Sequence, residues 1–331
     1  MQSPPTESAE PPWIEVAAGV IRDAAGRILI AQRAAHQHQG NCWEFPGGKR
    51  EPGEGEAQTL ERELKEELDI EVLEASPLIA LRHRYPDRAV RLSVWRVERF
   101  RGVPRGRLGQ TLRWVRPEDL DRYPFPPANR SVLAAVRLPD HYAILDLATD
   151  GPARLMARLH HYAALGITLV RLRAPRPIPP EYGPLAAQAV ATGRSLGLTV
   201  LVDGSPELAQ RVGAAGLHLN SAELWVVQER PLAPDRWLAA SCHDGEQLRR
   251  AARIGADFAV LSPVGATATH PGAAPLGWDG FAALAELATI PVFALGGLGL
   301  ADTVMAKRHG GQGVAAIRGF IGPECTIVGR S

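Results

Sequence analysis

The chain reads as an α/β protein of two domains, and three observations carry that reading. Its 331 residues exceed what one ordinary domain holds. The second half carries eight short apolar runs separated mostly by alanine-rich helical segments, which predicts a parallel (β/α)8 barrel with functional groups where the strands end. The first half instead sets a glycine-rich turn and an acidic helix among strands.

Residues 1–12 are polar and proline-rich, with no basic segment leading into an apolar core, so a disordered tail is expected there and no secretion signal. Strands follow at 14–21 and 28–31 around a turn at 23–26. After the acidic helix come a strand pair at 81–85 and 90–100, a loop rich in Gly and Arg at 101–109, and a strand at 112–115. The first domain is expected to span 13–137, with a linker at 138–141 and the barrel over 142–325. Barrel strands are expected at 142–147, 168–172, 199–202, 216–219, 237–241, 258–261, 291–295 and 313–317, the last helix being cut short by the C-terminus.

Composition narrows function. With 37 basic against 36 acidic residues, no nucleic-acid stripe or membrane-binding surface is marked. Only a local pocket can attract a polyanion. The three cysteines, Cys42, Cys242 and Cys325, are scattered and form no Cys-x-x-Cys pair, which argues against disulfides or zinc and for a reducing cytosol. No apolar run approaches the ~18 residues of a membrane span.

The stretch 47–70 is a place to hold a metal. Glu63, Glu66 and Glu67 lie three and four apart, so on a helix they share a side within reach of one cation. Hard oxygen ligands suit Mg²⁺ or Mn²⁺ bound together with phosphates. Gly47, Gly48 and Gly53 let the backbone approach, so the Gly47 carbonyl can join the ligands, and Arg62 can orient Glu63. The bland alternative, a solvated acidic face, requires neither the Gly-Gly, nor Glu54, nor the order Arg-Glu-Leu-x-Glu-Glu. This stretch resembles the Nudix box from Gly48 to Ile70 at every fixed position but one. Asp69 stands where the family has glycine, at a helix C-terminus where a left-handed residue is wanted and Asp is tolerated.

The resemblance extends beyond the box. Gln32-Arg33-Ala34-Ala35, His38, Trp43-Glu44-Phe45-Pro46-Gly47-Gly48, Tyr85-Pro86-Asp87-Arg88 and Phe125-Pro126-Pro127-Ala128-Asn129 are similar to the MutT-type 8-oxo-dGTP diphosphatases. It implies a Nudix α/β/α sandwich with a mixed sheet, and water attack on the triphosphate to give 8-oxo-dGMP and pyrophosphate. Glu63 would serve as ligand or base, with Arg62 and Glu54 beside it, and Gly47, Glu63, Glu66 and Glu67 as the metal set. Arg33, His38, Glu44, Phe45, Pro46, Gly47, Arg88 and Asn129 would contact substrate. An Asn amide offers both donor and acceptor, so Asn129 can read the protonated N7 edge of 8-oxoguanine; alone it would pass as a turn residue. Phe45 and Tyr85 can stack on a base or pack in the core. The family's further acidic ligand falls at Leu108, and no acid lies between Phe100 and Val115, so water, Gln110 or a carboxylate from elsewhere must complete the shell. Another Nudix substrate, such as ADP-ribose, is the alternative within the class, and a pair of degenerate binding domains the alternative outside it.

The second domain resembles the thiamine-phosphate synthase and thiazole tautomerase family through Leu169-Val170-Arg171-Leu172-Arg173, Val202-Asp203, Gly213-Ala214-Ala215-Gly216-Leu217-His218-Leu219, Ser241-Cys242-His243, Thr267-Ala268-Thr269-His270-Pro271-Gly272 and Ala294-Leu295-Gly296-Gly297-Leu298. Pro175 and His270 occupy positions where the synthases have lysines; Lys307 is the domain's only lysine, and the acid after the fourth strand is at best Glu223. The resemblance implies a degenerate barrel with candidate residues Arg173, Asp203, His243, Gly296 and Gly297, the two glycines cradling one phosphate of a thiamine precursor. Three readings stand: tautomerase-like enzyme, precursor sensor, or scaffold.

Overall fold

Strand β1 (Trp13–Ile21) is the centre around which the first unit assembles. The computed structural model of the chain describes residues 13–35, 39–84, 88–267, 272 and 274–321, and its contacts divide into two units, Met1–Arg130 and Ser131–Ser331. The expected tail at 1–12 lies outside the described residues, as do His38, Tyr85, His270 and Cys325.

In the first unit β2 (Ile28–Gln32), β3 (Trp43–Glu44) and β4 (Gly47–Lys49) precede helix α1 (Glu56–Leu68), and β5 (Glu71–Arg84), β6 (Ala89–Arg101) and β7 (Leu112–Val115) follow it. One sheet has the order β4-β1-β6-β5, with β1 parallel to β6 and antiparallel to β4; the other has the order β3-β2-β7. The mixed sheet expected from the sequence is present. Strand β5 starts ten residues before the expected position. Its first half carries charges, Pro77 and register shifts, which blur the alternation; as an edge strand it tolerates them.

Helix α1 is held by Leu60, Leu64 and Leu68, all fully buried against Ala17, Ile21, Leu29 and Val97. Burial of each contributes about 1.5–3 kcal/mol. The helix stops at Asp69, which is left-handed (φ 57°, ψ 35°) and whose N–H donates to the carbonyls of Leu64 and Lys65. The departure from the box glycine is thus a capping matter, as expected.

In the second unit helix α2 (Arg130–Arg137) leads into β8 (His141–Asp146). Strands β9 (Leu169–Arg173), β10 (Thr199–Val202), β11 (Gly216–Leu219), β12 (Trp237–Cys242), β13 (Phe258–Leu261), β14 (Val292–Leu295) and β15 (Gly313–Ala316) continue it, and β15 pairs with β8 to close an all-parallel barrel. All eight expected strands are found within two residues at each end. Inward residues such as Tyr142, Leu169, Leu201, Phe258 and Phe293 fill the lumen, while Val170, Leu172, Leu217 and Leu238 face the helical shell. Leu138 is buried in the lumen cluster, and Gln312 Nε2 donates to the carbonyls of Ala135 and Leu138, both at 3.1 Å. Among the described residues no helix is long and apolar enough to cross a membrane.

Candidate active site

The leucine stripe of α1 decides how deeply each glutamate sits. At about 100° per residue, Glu67, Glu63 and Glu66 lie roughly 60°, 100° and 160° from the centre of the stripe. The two nearer the stripe are half-buried, the Glu63 side chain being 15% exposed, whereas that of Glu66 is 59% exposed. Arg62 binds the face together. Its Nη1 donates to Glu63 (2.9 Å) and Glu66 (3.3 Å), its Nε to Glu54 (2.7 Å), and its Nη2 to the Lys49 carbonyl (2.9 Å). Hydrogen bonds from Arg62 hold the Glu54 carboxyl well below the usual carboxylate range. Arg62 orients Glu63, as the sequence led us to expect. The Glu63 carboxylate lies over Gly48: a β-carbon there would come within 2.3 Å of Glu63 Cδ.

Glu67 borders a cavity of about 370 Å³ that Arg33, Glu44, Phe45, Gly47, Arg88 and Asn129 also line. Six of the sequence-selected substrate residues therefore converge on one cleft with a box glutamate. Its wall is apolar, made by Val16, Leu81, Val90, Leu92 and Val94. Phe45 packs against Phe125 with ring centroids 5.5 Å apart, so part of its ring is committed to packing. The backbone N–H of Asn129 donates to the Pro126 carbonyl, and its side-chain amide makes no hydrogen bond among the described residues. Pro46 is buried behind the rim, where its carbonyl accepts from Gly19 N (2.8 Å).

Among the described residues no three His, Cys, Asp or Glu side chains stand together as a ready-made metal centre. The donor chemistry nevertheless fits a dication. Glu67 accepts from Gly47 N (3.2 Å); burial pushes its carboxyl up to about 7, and the charges of Glu44 and Glu63 add to the rise. Anions crowded in a partly dry cleft favour a hard cation. Gln110 is not free to join it: Oε1 accepts from Leu108 N (2.9 Å) and Nε2 donates to the Glu67 carbonyl (3.2 Å). Together with Arg105 N and Arg107 N, which donate to the carbonyls of Leu68 and Glu67, Gln110 ties the 101–109 loop to the C-terminal end of α1. Leu108 itself is 72% exposed.

At the strand ends of the barrel two adjoining cavities of about 330 Å³ each share Arg173, Ser262, Leu295 and Ile317. Asp203, read from sequence as a possible ligand-binding acid, is buried and held bidentately by Arg171 Nε and Nη2 (2.8 and 2.9 Å). Arg173 pairs with Asp146 at 3.4 Å. Glu223 is ion-paired with Arg176 and accepts from Asn220 N (2.9 Å) in a capping box, so it has a structural partner on each side. His243 Nδ1 lies 2.7 Å from the Ser262 carbonyl, to which it can only donate. Gly296 (φ 124°) and Gly297 (φ 65°) border the first cavity, but a β-carbon on either meets backbone of 263–266 at 3.1 Å or less. Packing alone therefore requires glycine there, and Gly296→Val would distort the loop as well as cover its amides. Sequence reasoning missed the interior chain in which Tyr142 Oη meets His218 Nδ1 (3.0 Å) and His218 Nε2 meets Ser241 Oγ (2.9 Å). His218 is fully buried, and desolvation holds its pKa well below the ordinary value, so it stays neutral.

A carboxylate-bearing helix over a glycine turn, opening on a nucleotide-sized cleft, defines a pyrophosphohydrolase of the Nudix class, here joined to a parallel barrel. The comparisons agree: residues 17–135 match the NUDIX domain, residues 141–320 match the thiamine monophosphate synthase family, and the chain belongs to both. The first unit is 41% identical over 124 residues to the 8-oxo-dGTP diphosphatase of Escherichia coli K12, covering 38% of this chain and 96% of that protein. It is 40% identical over 122 residues to the CTP pyrophosphohydrolase of the same organism, covering 37% and 90%. The barrel is 31% identical over 183 residues to the thiamine-phosphate synthase of Syntrophomonas wolfei, covering 55% and 88%. Nudix hydrolases are in general dependent on divalent metal, and both families act on small phosphate-bearing substrates.

Proposed function

We propose that the first domain hydrolyses oxidised purine nucleoside triphosphates, 8-oxo-dGTP above all, to the monophosphate and pyrophosphate, and so cleanses the nucleotide pool of mutagenic precursors in a reducing cytosol. The observation that carries this is the shared cleft of Glu67, Arg33, Phe45 and Asn129. Similarity to the E. coli 8-oxo-dGTP diphosphatase over nearly its full length supports it. The hydrolase reading is assigned to 13–137 and the barrel reading to 142–325, in keeping with the two family matches.

Glu63, Glu66, Glu67 and the Gly47 carbonyl are the residues to hold Mg²⁺ or Mn²⁺, which when bound neutralises phosphate charge. Arg62 holds the Glu63 carboxylate over Gly48, and Glu63 takes a proton from the attacking water. Arg33 and Arg88 face the same space and bind phosphate or base. The apolar wall excludes water and receives the purine. Asn129 offers its amide to the N7–H edge.

Asn129→Ala should lower discrimination between 8-oxo-dGTP and dGTP by about 1–3 kcal/mol, the range for a buried hydrogen bond left unmade. The ratio of the two kcat/KM values measures it, and an unchanged ratio would place the base reader elsewhere. A nucleotide panel including CTP and ADP-ribose tests the substrate class, because a CTP pyrophosphohydrolase is nearly as similar.

The raised pKa of Glu67 fixes a pH dependence. Folded Glu67 keeps its proton to about pH 7 while unfolded Glu67 loses it near 4.5, so between those values the metal-free protein loses stability as pH rises. Metal binding requires the ionised carboxylate, so Mg²⁺ affinity should be about tenfold weaker at pH 6 than at pH 8. Mg²⁺-induced shifts in Tm at the two pH values check this; equal shifts would remove Glu67 from the ligand set.

For the barrel we propose a phosphate-binding, non-synthetic role with a thiamine precursor as ligand. Asp203 and Glu223 are engaged by Arg171 and Arg176, and Pro175 stands at the mouth where the synthases have lysine. The full chain should form no thiamine phosphate from the pyrimidine and thiazole precursors, while thiazole phosphate binds and Arg318→Ala, at the cavity edge, weakens it about tenfold. Robust synthesis overturns the first half, and binding indifferent to Arg318 the second.

A further inference from the structure

The Arg33–Glu44 pair sits at the rim of the hydrolase cleft. Arg33 Nη1 meets Glu44 Oε2 at 2.5 Å, a single contact between two part-buried side chains. Arg33 Nε is buried and has no hydrogen-bond partner among the described residues. A guanidinium satisfies a carboxylate best through two parallel bonds, as Arg171 does for Asp203. Arg33 therefore holds Glu44 through a single Nη1 contact and keeps Nε as a buried donor without a partner among the described residues. Glu44 has no other hydrogen-bond partner among the described residues, and it lines the same cavity as Glu67 and Gly47, three residues before that glycine on the same rim.

Two further facts bear on this carboxylate. The loop after β6 contributes no acid, since Leu108 projects into solvent and Gln110 is consumed in tying the loop to α1. Glu44 and Glu67 also line one and the same cavity.

We infer that Glu44 is the carboxylate that completes the metal shell of the cleft, and that Arg33 is its latch: in the free protein the two neutralise each other, and when metal and nucleotide arrive Glu44 turns to the cation and Arg33 to the nucleotide's oxygens. This rests on the hydrolase reading of the same cleft and adds to it a residue for the place that Leu108 leaves without an acid. The latch keeps an unpaired carboxylate from remaining in a partly dry cleft, where it would destabilise the free protein. It also couples metal affinity to the presence of nucleotide.

Mn²⁺ binding to the full chain, followed by electron paramagnetic resonance without any turnover, tests this. Glu44→Gln should weaken Mn²⁺ binding about tenfold and add one inner-sphere water, counted by electron spin-echo modulation in D2O. Arg33→Ala, which frees Glu44, should tighten Mn²⁺ binding. A Glu44→Gln protein with the wild-type water count overturns the ligand assignment, and an Arg33→Ala protein that binds Mn²⁺ no more tightly overturns the latch. Failure of the underlying reading looks different: Glu67→Gln would then also leave Mn²⁺ affinity unchanged.

Discussion

Glu67→Gln is expected to lower metal-dependent hydrolysis by about a hundredfold or more while leaving the protein folded and slightly more stable at pH 8. Both halves follow from the same burial. The leucine stripe of α1 carries Glu67 into the cleft wall, where water is scarce and its carboxyl is pushed up to about 7. In the metal-free protein above that pH the ionised group is held at a cost relative to the unfolded chain, so a neutral amide of the same shape relieves it. Gln can still accept from Gly47 N, which preserves the contact between helix and turn. What it lacks is the charge a dication requires. Turnover of 8-oxo-dGTP in Mg²⁺ and the melting temperature of the metal-free protein are the two readouts. A folded Glu67→Gln enzyme with wild-type turnover would sink the metal assignment.

The sequence disclosed the barrel more readily than its chemistry. Parallel strands buried on both faces read as unbroken apolar runs, so 199–202 or 258–261 declare themselves locally. Strand β5 did not, because its first half is an edge with Pro77 and irregular register, held by pairing with β6 and scarcely by its own pattern. In the cleft, spacing on one helix placed Glu63, Glu66 and Glu67 together, and Asp69 in the left-handed cap, because those relations span fewer than ten residues. Relations between distant segments were not legible. That Asp203 is taken by Arg171, 32 residues away, or that Gln110 is spent on the Glu67 carbonyl, depends on side-chain direction in the assembled fold. Glu44 shows the limit well: its neighbours in sequence mark it as lying near substrate, but only the half-satisfied Arg33 beside it indicates what it is held ready to do.

Gly48→Ala should separate activity from folding more cleanly than any change to a charged residue. Gly47 and Gly48 are adjacent, yet a β-carbon on each meets a different kind of neighbour. At Gly47 it would lie 2.1 Å from the Ala17 carbonyl oxygen and 2.6 Å from Ala18 Cα, so the β1–β4 pairing must give way and Gly47→Ala should lose the fold of this region. At Gly48 its nearest neighbours would all belong to the end of the Glu63 side chain, within 2.3 Å of Cδ and Oε1. A flexible side chain can swing aside at little expense in stability. To do so Glu63 must leave the position in which Arg62 Nη1 holds it at 2.9 Å. Displacement of a reacting group by about 1 Å is worth roughly a hundredfold in rate. Gly48→Ala is therefore expected to melt within a few degrees of wild type and to hydrolyse about a hundredfold more slowly, with KM for the nucleotide little changed because Arg33, Phe45 and Asn129 are untouched. Wild-type kcat in Gly48→Ala would mean that the position of Glu63 over the turn does not matter to the reaction. A collapsed melting temperature would mean that the turn, and not the carboxylate, is what the glycine protects.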